Sequence, residues 1–273
     1  MEKLVRSGPL TLWTEQSGNP AHPAVLLIMG QAAQAVHCPD ALVDRLVERG
    51  FQTIRFDHRD TGLSSTVNFD QHPYVIADMS RDCLAILDAY DRPDAHVAGA
   101  SLGGVIAQWL AVHAPARVRT LTLLTTTPML AADPADIAPV TQRFRDHVAR
   151  PHEPGPEADV ALFRVMNGES LPFDEQAARA MSERAWSRAA DPAAAANHSR
   201  AAYADDPTLS APLSTITAPT TIVHGDQDPI FPLPHAEALT KAIPHARLEL
   251  IPGMGHTFFT PGLPERIADL IAR

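Results

Sequence analysis

The sequence predicts an α/β fold: a mostly parallel sheet flanked by helices on both faces, with a helical cap inserted before the final strands. Three observations point there. From residue 10 to 128, short β-like runs alternate with helix-length amphipathic ones, as expected for strands joined by crossover helices. Residues 129–212 then turn rich in Ala, Pro and Asp and offer no convincing strand. The alternation resumes beyond 212. The expected division is a first core segment at 1–128, a helical cap at 129–212 and a second core segment at 213–273.

Strands are expected at 10–15, 25–29, 53–56, 96–100 and 120–125. Between them, 39–49 carries Leu42, Val43, Leu46 and Val47 on one helical face and stops at Gly50, a residue suited to end a helix. Residues 76–90 repeat the pattern with Met79, Cys83, Leu84, Ile86 and Leu87. A third helix, 105–112, is closed by His113 and Pro115. The cap shows helical stretches at 140–148, 176–188 and 193–203. After it come a strand at 220–224, a helix at 234–243, a strand at 247–251 and a closing helix at 263–272.

The 273 residues are 45% hydrophobic, enough for a substantial core. The net charge of -10 and the lack of clustered Lys and Arg argue against a nucleic-acid partner. Cys38 and Cys83 are the only two cysteines, and their spacing suits neither a metal site nor a redox pair. Residues 1–8 lack the apolar stretch of a signal peptide, and the run 24–29 is too short to span a bilayer, so no membrane association is expected and the cytoplasm is the default location.

The chemistry starts at Gly99-Ala100-Ser101-Leu102-Gly103, where an apolar run gives way to a helical one. A serine between two glycines at that junction reads as a nucleophile elbow, a turn so tight that bulky flanking residues would collide. A serine hydroxyl needs a base to take its proton. Of thirteen histidines, His256 is distinguished by its place after the last strand, in the loop Pro252-Gly253-Met254-Gly255-His256, and by the order serine, acid, histidine. The imidazole needs an anionic partner. Gly225-Asp226-Gln227-Asp228-Pro229 offers two; Asp228 is favoured because it lies further into the loop and Pro229 stiffens it, leaving Asp226 as a turn former bonded to its own backbone. No carboxylate occurs in 125–128. The developing oxyanion needs N–H donors. Leu102, at a helix start, supplies one, and Gln31, beside Gly30 in the loop after the 25–29 strand, the second.

With these pieces in place the chain resembles the α/β-hydrolase superfamily over nearly its whole length. Asp57-His58-Arg59-Asp60-Thr61-Gly62-Leu63-Ser64 looks like the superfamily's Asp-x-Arg-Gly-x-Gly-x-Ser loop, with Asp60 where glycine is usual. Together with His72-Pro73-Tyr74 and 252–256, it is similar to the aclacinomycin methylesterase family, which demethylates the carbomethoxy group of anthracyclines. The resemblance implies a triad of Ser101, Asp228 and His256 and oxyanion donors at Gln31 and Leu102. Met29-Gly30-Gln31 stands where many esterases have His-Gly and the methylesterases Met-Gly-Gly.

In the cap, Met129, Phe144, Phe163, Met166, Phe173, Met181, Trp186 and Tyr203 are candidates to line an apolar pocket. Gly30, Met129 and Trp186 are the expected substrate contacts. The leading expectation is a serine hydrolase acting, through an acyl-enzyme on Ser101, on a small-molecule apolar ester: a methyl ester or lactone of a bulky polyketide-like or macrolide substrate. The alternatives are a cofactor-free haloperoxidase or perhydrolase, a C–C bond hydrolase with the same triad, and a non-catalytic ligand-binding protein on this fold. A dehalogenase would need a carboxylate at 101. No cofactor or metal is implied, and a monomer or homodimer is expected.

Overall fold

A computed structural model of the protein describes residues 1–129 and 134–273. The strands are β1 (Glu2–Ser7), β2 (Leu10–Ser17), β3 (Ala24–Ile28), β4 (Gln52–Phe56), β5 (Ala95–Ala100), β6 (Val118–Leu124), β7 (Thr220–Gly225) and β8 (Arg247–Ile251). They form one sheet in the order β1-β2-β4-β3-β5-β6-β7-β8. β1 and β2 run antiparallel to each other, and β2 is antiparallel to β4; every remaining pair is parallel.

The pleat sorts alternate side chains to opposite faces. On β3, Leu26 and Ile28 enter one core while Val25 and Leu27 enter the other; on β5 the same split separates Val97 from Ala98. Helices α2 (Ile76–Ala89), α3 (Leu102–His113) and α8 (Pro234–Ala242) cover the first face, and α1 (Asp40–Glu48) and α9 (Leu263–Ile271) pack together over the second. Each fully buried aliphatic side chain contributes about 1.5–3 kcal/mol, and β3, shielded on both sides, reads as a continuous apolar run, whereas β4 buries Gln52, Thr53 and Arg55 beside it.

Between β6 and β7 the chain builds α4 (Gln142–Val148), α5 (Pro156–Met166), α6 (Glu175–Arg188) and α7 (Asn197–Ala202), with no strand among the described residues. Residues 130–133 of the expected cap lie outside the described residues. Thr141 and Asp174 cap α4 and α6 by accepting from the amides of Phe144 and Ala177, which satisfies donors that a helix start leaves open.

Two elements escape the sequence pattern. β1 is a charged edge strand with only Val5 buried, so it shows no alternation, and the Gly8-Pro9 turn joining it to β2 was its one signal. α5 lies in the Ala- and Pro-rich region, where the expected helices were at 140–148, 176–188 and 193–203. Its Pro156 at the first helical position and acidic Glu157 and Asp159 in the first turn are N-terminal signals. The expected 193–203 helix is a 3-10 turn at Pro192–Ala196 followed by the short α7.

Candidate active site

Ser101 sits between β5 and α3 with φ 54° and ψ -123°. A non-glycine residue in that region costs of order 1–3 kcal/mol, and the surroundings hold it there. Its N–H donates to Leu124 O at 3.0 Å, and its carbonyl accepts from Gly104 N at 2.8 Å and from the Thr126 hydroxyl at 2.6 Å. Side chains are excluded around the turn: a β carbon on Gly99 would fall 2.1 Å from Gly103 O, and one on Gly103 2.2 Å from Ile28 O. These are the two positions the elbow reading required to be glycine.

Asp228 and His256 come from the loops after β7 and β8. His256 Nδ1 lies 2.7 Å from Asp228 Oδ2. The other carboxylate oxygen, Oδ1, accepts from the amides of Ile230 and Phe231, each at 2.9 Å, so the carboxylate is fixed at both ends and fully buried. Asp226, expected to bond its own backbone, instead accepts from Gly253 N at 2.6 Å and ties the two loops together. His256 Nε2 makes no hydrogen bond among the described residues, and Ser101 and His256 line the same cavity. Buried His224 lies behind the acid, its Nε2 donating to Phe231 O at 2.7 Å; burial pushes its pKa down.

The amides of Gln31 and Leu102 donate to no other group among the described residues, and both residues line the cavity. Gly30 touches the nucleophile: a β carbon there would lie 3.0 Å from Ser101 Cβ and 3.5 Å from its Oγ. The cavity measures about 1160 Å³. Its roof comes from the inserted helices through Phe144, Phe163, Met166, Met181 and Trp186, and its wall from Ile230 and Phe231. Trp186 Nε1 donates to Asp159 at 2.7 Å, which fixes the indole. Met129, expected among the substrate contacts, is no part of the cavity wall. It is 1% exposed in the core beneath α3, with its amide bonded to Gln108 Oε1 at 2.7 Å. Phe173 stands off the wall too, edge-on to Phe259. Among the described residues no three His, Cys, Asp or Glu side chains gather as metal ligands.

Several supporting residues carry no sequence signal, because their partners are distant in the chain. The carbonyls of Met166 and Asn167, at the end of α5, accept from the amides of His256 and Gly255 at 2.6 and 3.0 Å, and the Asn167 side chain accepts from the Thr257 hydroxyl. A β carbon on Gly255 would sit 2.1 Å from Met166 O. The histidine loop is thus braced by an inserted helix. Asp60, where the superfamily loop has glycine, keeps the positive φ that glycine would supply (66°). Its buried carboxylate accepts from Tyr74 Oη at 2.7 Å, Val67 N at 2.5 Å and Asn197 Nδ2 at 3.2 Å.

The alpha/beta hydrolase fold family matches residues 23–262. The chain is 36% identical to the rhodomycin D methylesterase DnrP of Streptomyces peucetius, over 93% of its own length and 91% of that protein, and equally to DauP of Streptomyces sp. (strain C5). An esterase from Exiguobacterium antarcticum superposes with a TM-score of 0.78 at 19% identity, each chain covered in full, a likeness of fold alone. With the mostly parallel sheet, the inserted helices and the strained serine at the end of β5 all in place, the chain belongs to the alpha/beta hydrolase fold family.

Proposed function

We propose that the protein is a serine carboxylic-ester hydrolase, and the 2.7 Å bond between His256 Nδ1 and Asp228 Oδ2 carries the reading. Because the carboxylate accepts at Nδ1, the imidazole keeps its proton there and presents a basic Nε2 to the cavity. Ser101 Oγ attacks the ester carbonyl as its proton passes to Nε2. The amides of Gln31 and Leu102 stabilise the oxyanion, each donor lowering the barrier by about 2.7–4 kcal/mol. Collapse expels the alcohol, which takes the proton from the imidazolium; water activated by the same nitrogen then attacks the acyl-enzyme and releases the acid.

The substrate we assign is a methyl ester or lactone of a bulky apolar polyketide-like or macrolide molecule. A cavity of about 1160 Å³ roofed by aromatic and methionine side chains suits such a group, and the 36% identity to proteins named as rhodomycin D methylesterases supports the methyl ester. No helix among the described residues is long and apolar enough to cross a membrane, and two buried free thiols agree with a reducing cytoplasm. A fluorophosphonate probe should label Ser101 alone, and polyketide methyl esters and macrolides should be turned over by the wild type but not by Ser101→Ala. An adduct on another residue, or full turnover in the variant, would reject the reading.

A further inference from the structure

α7 lies in the inserted helical segment, yet three successive side chains at its start are bonded to core loops beside the nucleophile. Asn197 Nδ2 donates to Asp60 Oδ2 at 3.2 Å and to Val67 O at 3.1 Å. Ser199 Oγ accepts from Gln31 Nε2 at 2.7 Å. Between them His198, 0% exposed, bridges two loops: Nδ1 accepts from Ala32 N at 2.9 Å and Nε2 faces Arg59 O at 2.7 Å. An amide can only donate and a carbonyl can only accept, so these partners fix the neutral tautomer with its proton on Nε2.

Ala32 follows Gln31 and holds φ at 60°, a conformation an alanine leaves unless its surroundings enforce it. The turn bond from Ala33 N to Gly30 O at 3.2 Å and the His198 bond together supply that enforcement, the latter by locking the Gln31–Ala32 peptide plane, and Ser199 anchors the side chain of Gln31 itself. We propose that His198 is a positioning residue for the oxyanion hole: by accepting the Ala32 amide it aims the Gln31 N–H at the acyl oxygen, so that seating of the inserted helices sets the catalytic geometry. The inference rests on the serine hydrolase reading and extends it.

The two ring nitrogens can be tested apart. In His198→Asn, Oδ1 takes the place of Nδ1 and still accepts from Ala32, while the bond to Arg59 is lost. In His198→Gln, Nε2 takes the place of the imidazole Nε2 and still donates to Arg59, while Ala32 loses its acceptor. With 4-nitrophenyl butyrate as probe, His198→Gln should lower kcat by about tenfold or more with KM nearly unchanged, the signature of a weakened oxyanion contact. His198→Asn should recover most of kcat. The Ki of an aryl trifluoromethyl ketone, whose adduct carries the oxyanion, should rise in step with the loss of kcat. Ser199→Ala, which leaves the buried imidazole in place, should lower kcat by about twofold to fivefold and serves should either histidine variant fail to fold. Full kcat in His198→Gln or in Ser199→Ala, or equal losses in His198→Gln and His198→Asn, would overturn the inference while leaving the hydrolase reading intact. Undiminished turnover by Ser101→Ala would bring down both.

Discussion

Arg188, the last residue of α6, places Nη1 2.8 Å from Asp57 Oδ1 and 2.8 Å from Gln34 Oε1, clamping the inserted helices to the loops after β4 and β3. Its guanidinium also lies over the Trp13 ring, 4.4 Å from the centroid. The Asp57 side chain is fully buried and that of Arg188 is 13% exposed. Removing the cation strands a buried carboxylate, a change that costs about 3–5 kcal/mol when a pair is fully buried. Arg188→Met should therefore lose about 3 kcal/mol, the lower end of that range because some solvent reaches the guanidinium. Urea denaturation measures it; a loss below about 1 kcal/mol, the range of an exposed pair, would refute the clamp.

Asp228→Asn should be nearly isosteric yet almost inactive. The amides of Ile230 and Phe231 both donate to Oδ1, so an asparagine must keep its oxygen there and turn its NH2 toward His256. That forces Nδ1 to accept and moves the imidazole proton to Nε2, where the base is needed. A fall in kcat of about 10³–10⁴-fold is expected with the fold unchanged. Steady-state kinetics beside a melting curve checks it, and activity within tenfold of wild type would contradict the arrangement.

Acid should weaken the fold before the carboxylates titrate. Burial pushes the His58 pKa down to about 3, with nearby His198 adding to the effect, and burial also lowers those of His198 and His224. Arg59 and Asp60 face His198 and act in opposite directions on it. Since each imidazole is held below its unfolded value of about 6.5, the unfolded chain takes up protons first. Stability is complete above about pH 6.5, declines below it, and for His58 stops declining only near pH 3. The urea midpoint should be flat from pH 8.5 to 7.5 and lower at 5.5, and His58→Gln, which keeps a donor for Met29 O, should flatten that slope. An unchanged midpoint at pH 5.5 would contradict this.

The two thiols should be silent in the native protein. Cys38 and Cys83 are 2% and 0% exposed, and burial pushes the Cys38 thiol up to about 12 and raises that of Cys83. Neither forms thiolate at neutral pH. Ellman's reagent should report no thiol in buffer and two in denaturant; fast labelling of the folded protein would refute it.

The sequence was most readable where one local constraint acted on consecutive residues. The glycines around Ser101 are demanded by backbone atoms a few ångströms away, and the apolar run of β3 follows from being covered on both faces. Asp228 could be singled out by its place in the loop, and it is the carboxylate that meets His256. Met129 misled because a methionine beside the inserted segment reads equally well as core or pocket wall, and its amide bond to Gln108 is invisible in sequence. Asn167, Arg188 and His198 were unreadable for a related reason: each acts through a partner more than eighty residues away, and nothing local marks them.

The backbone of Ser101 has a consequence for the folded state as a whole. Glycine would accept φ 54° without steric penalty, relieving about 1–3 kcal/mol of strain against about 0.5–1 kcal/mol of added chain entropy in the unfolded state. Ser101→Gly should thus melt a few degrees above the parent, roughly 2–4 °C per kcal/mol gained for a chain of this size. A lower melting point would show that the turn is relaxed. At this one position the side chain that attacks the substrate and the backbone that would be most relaxed make opposite demands.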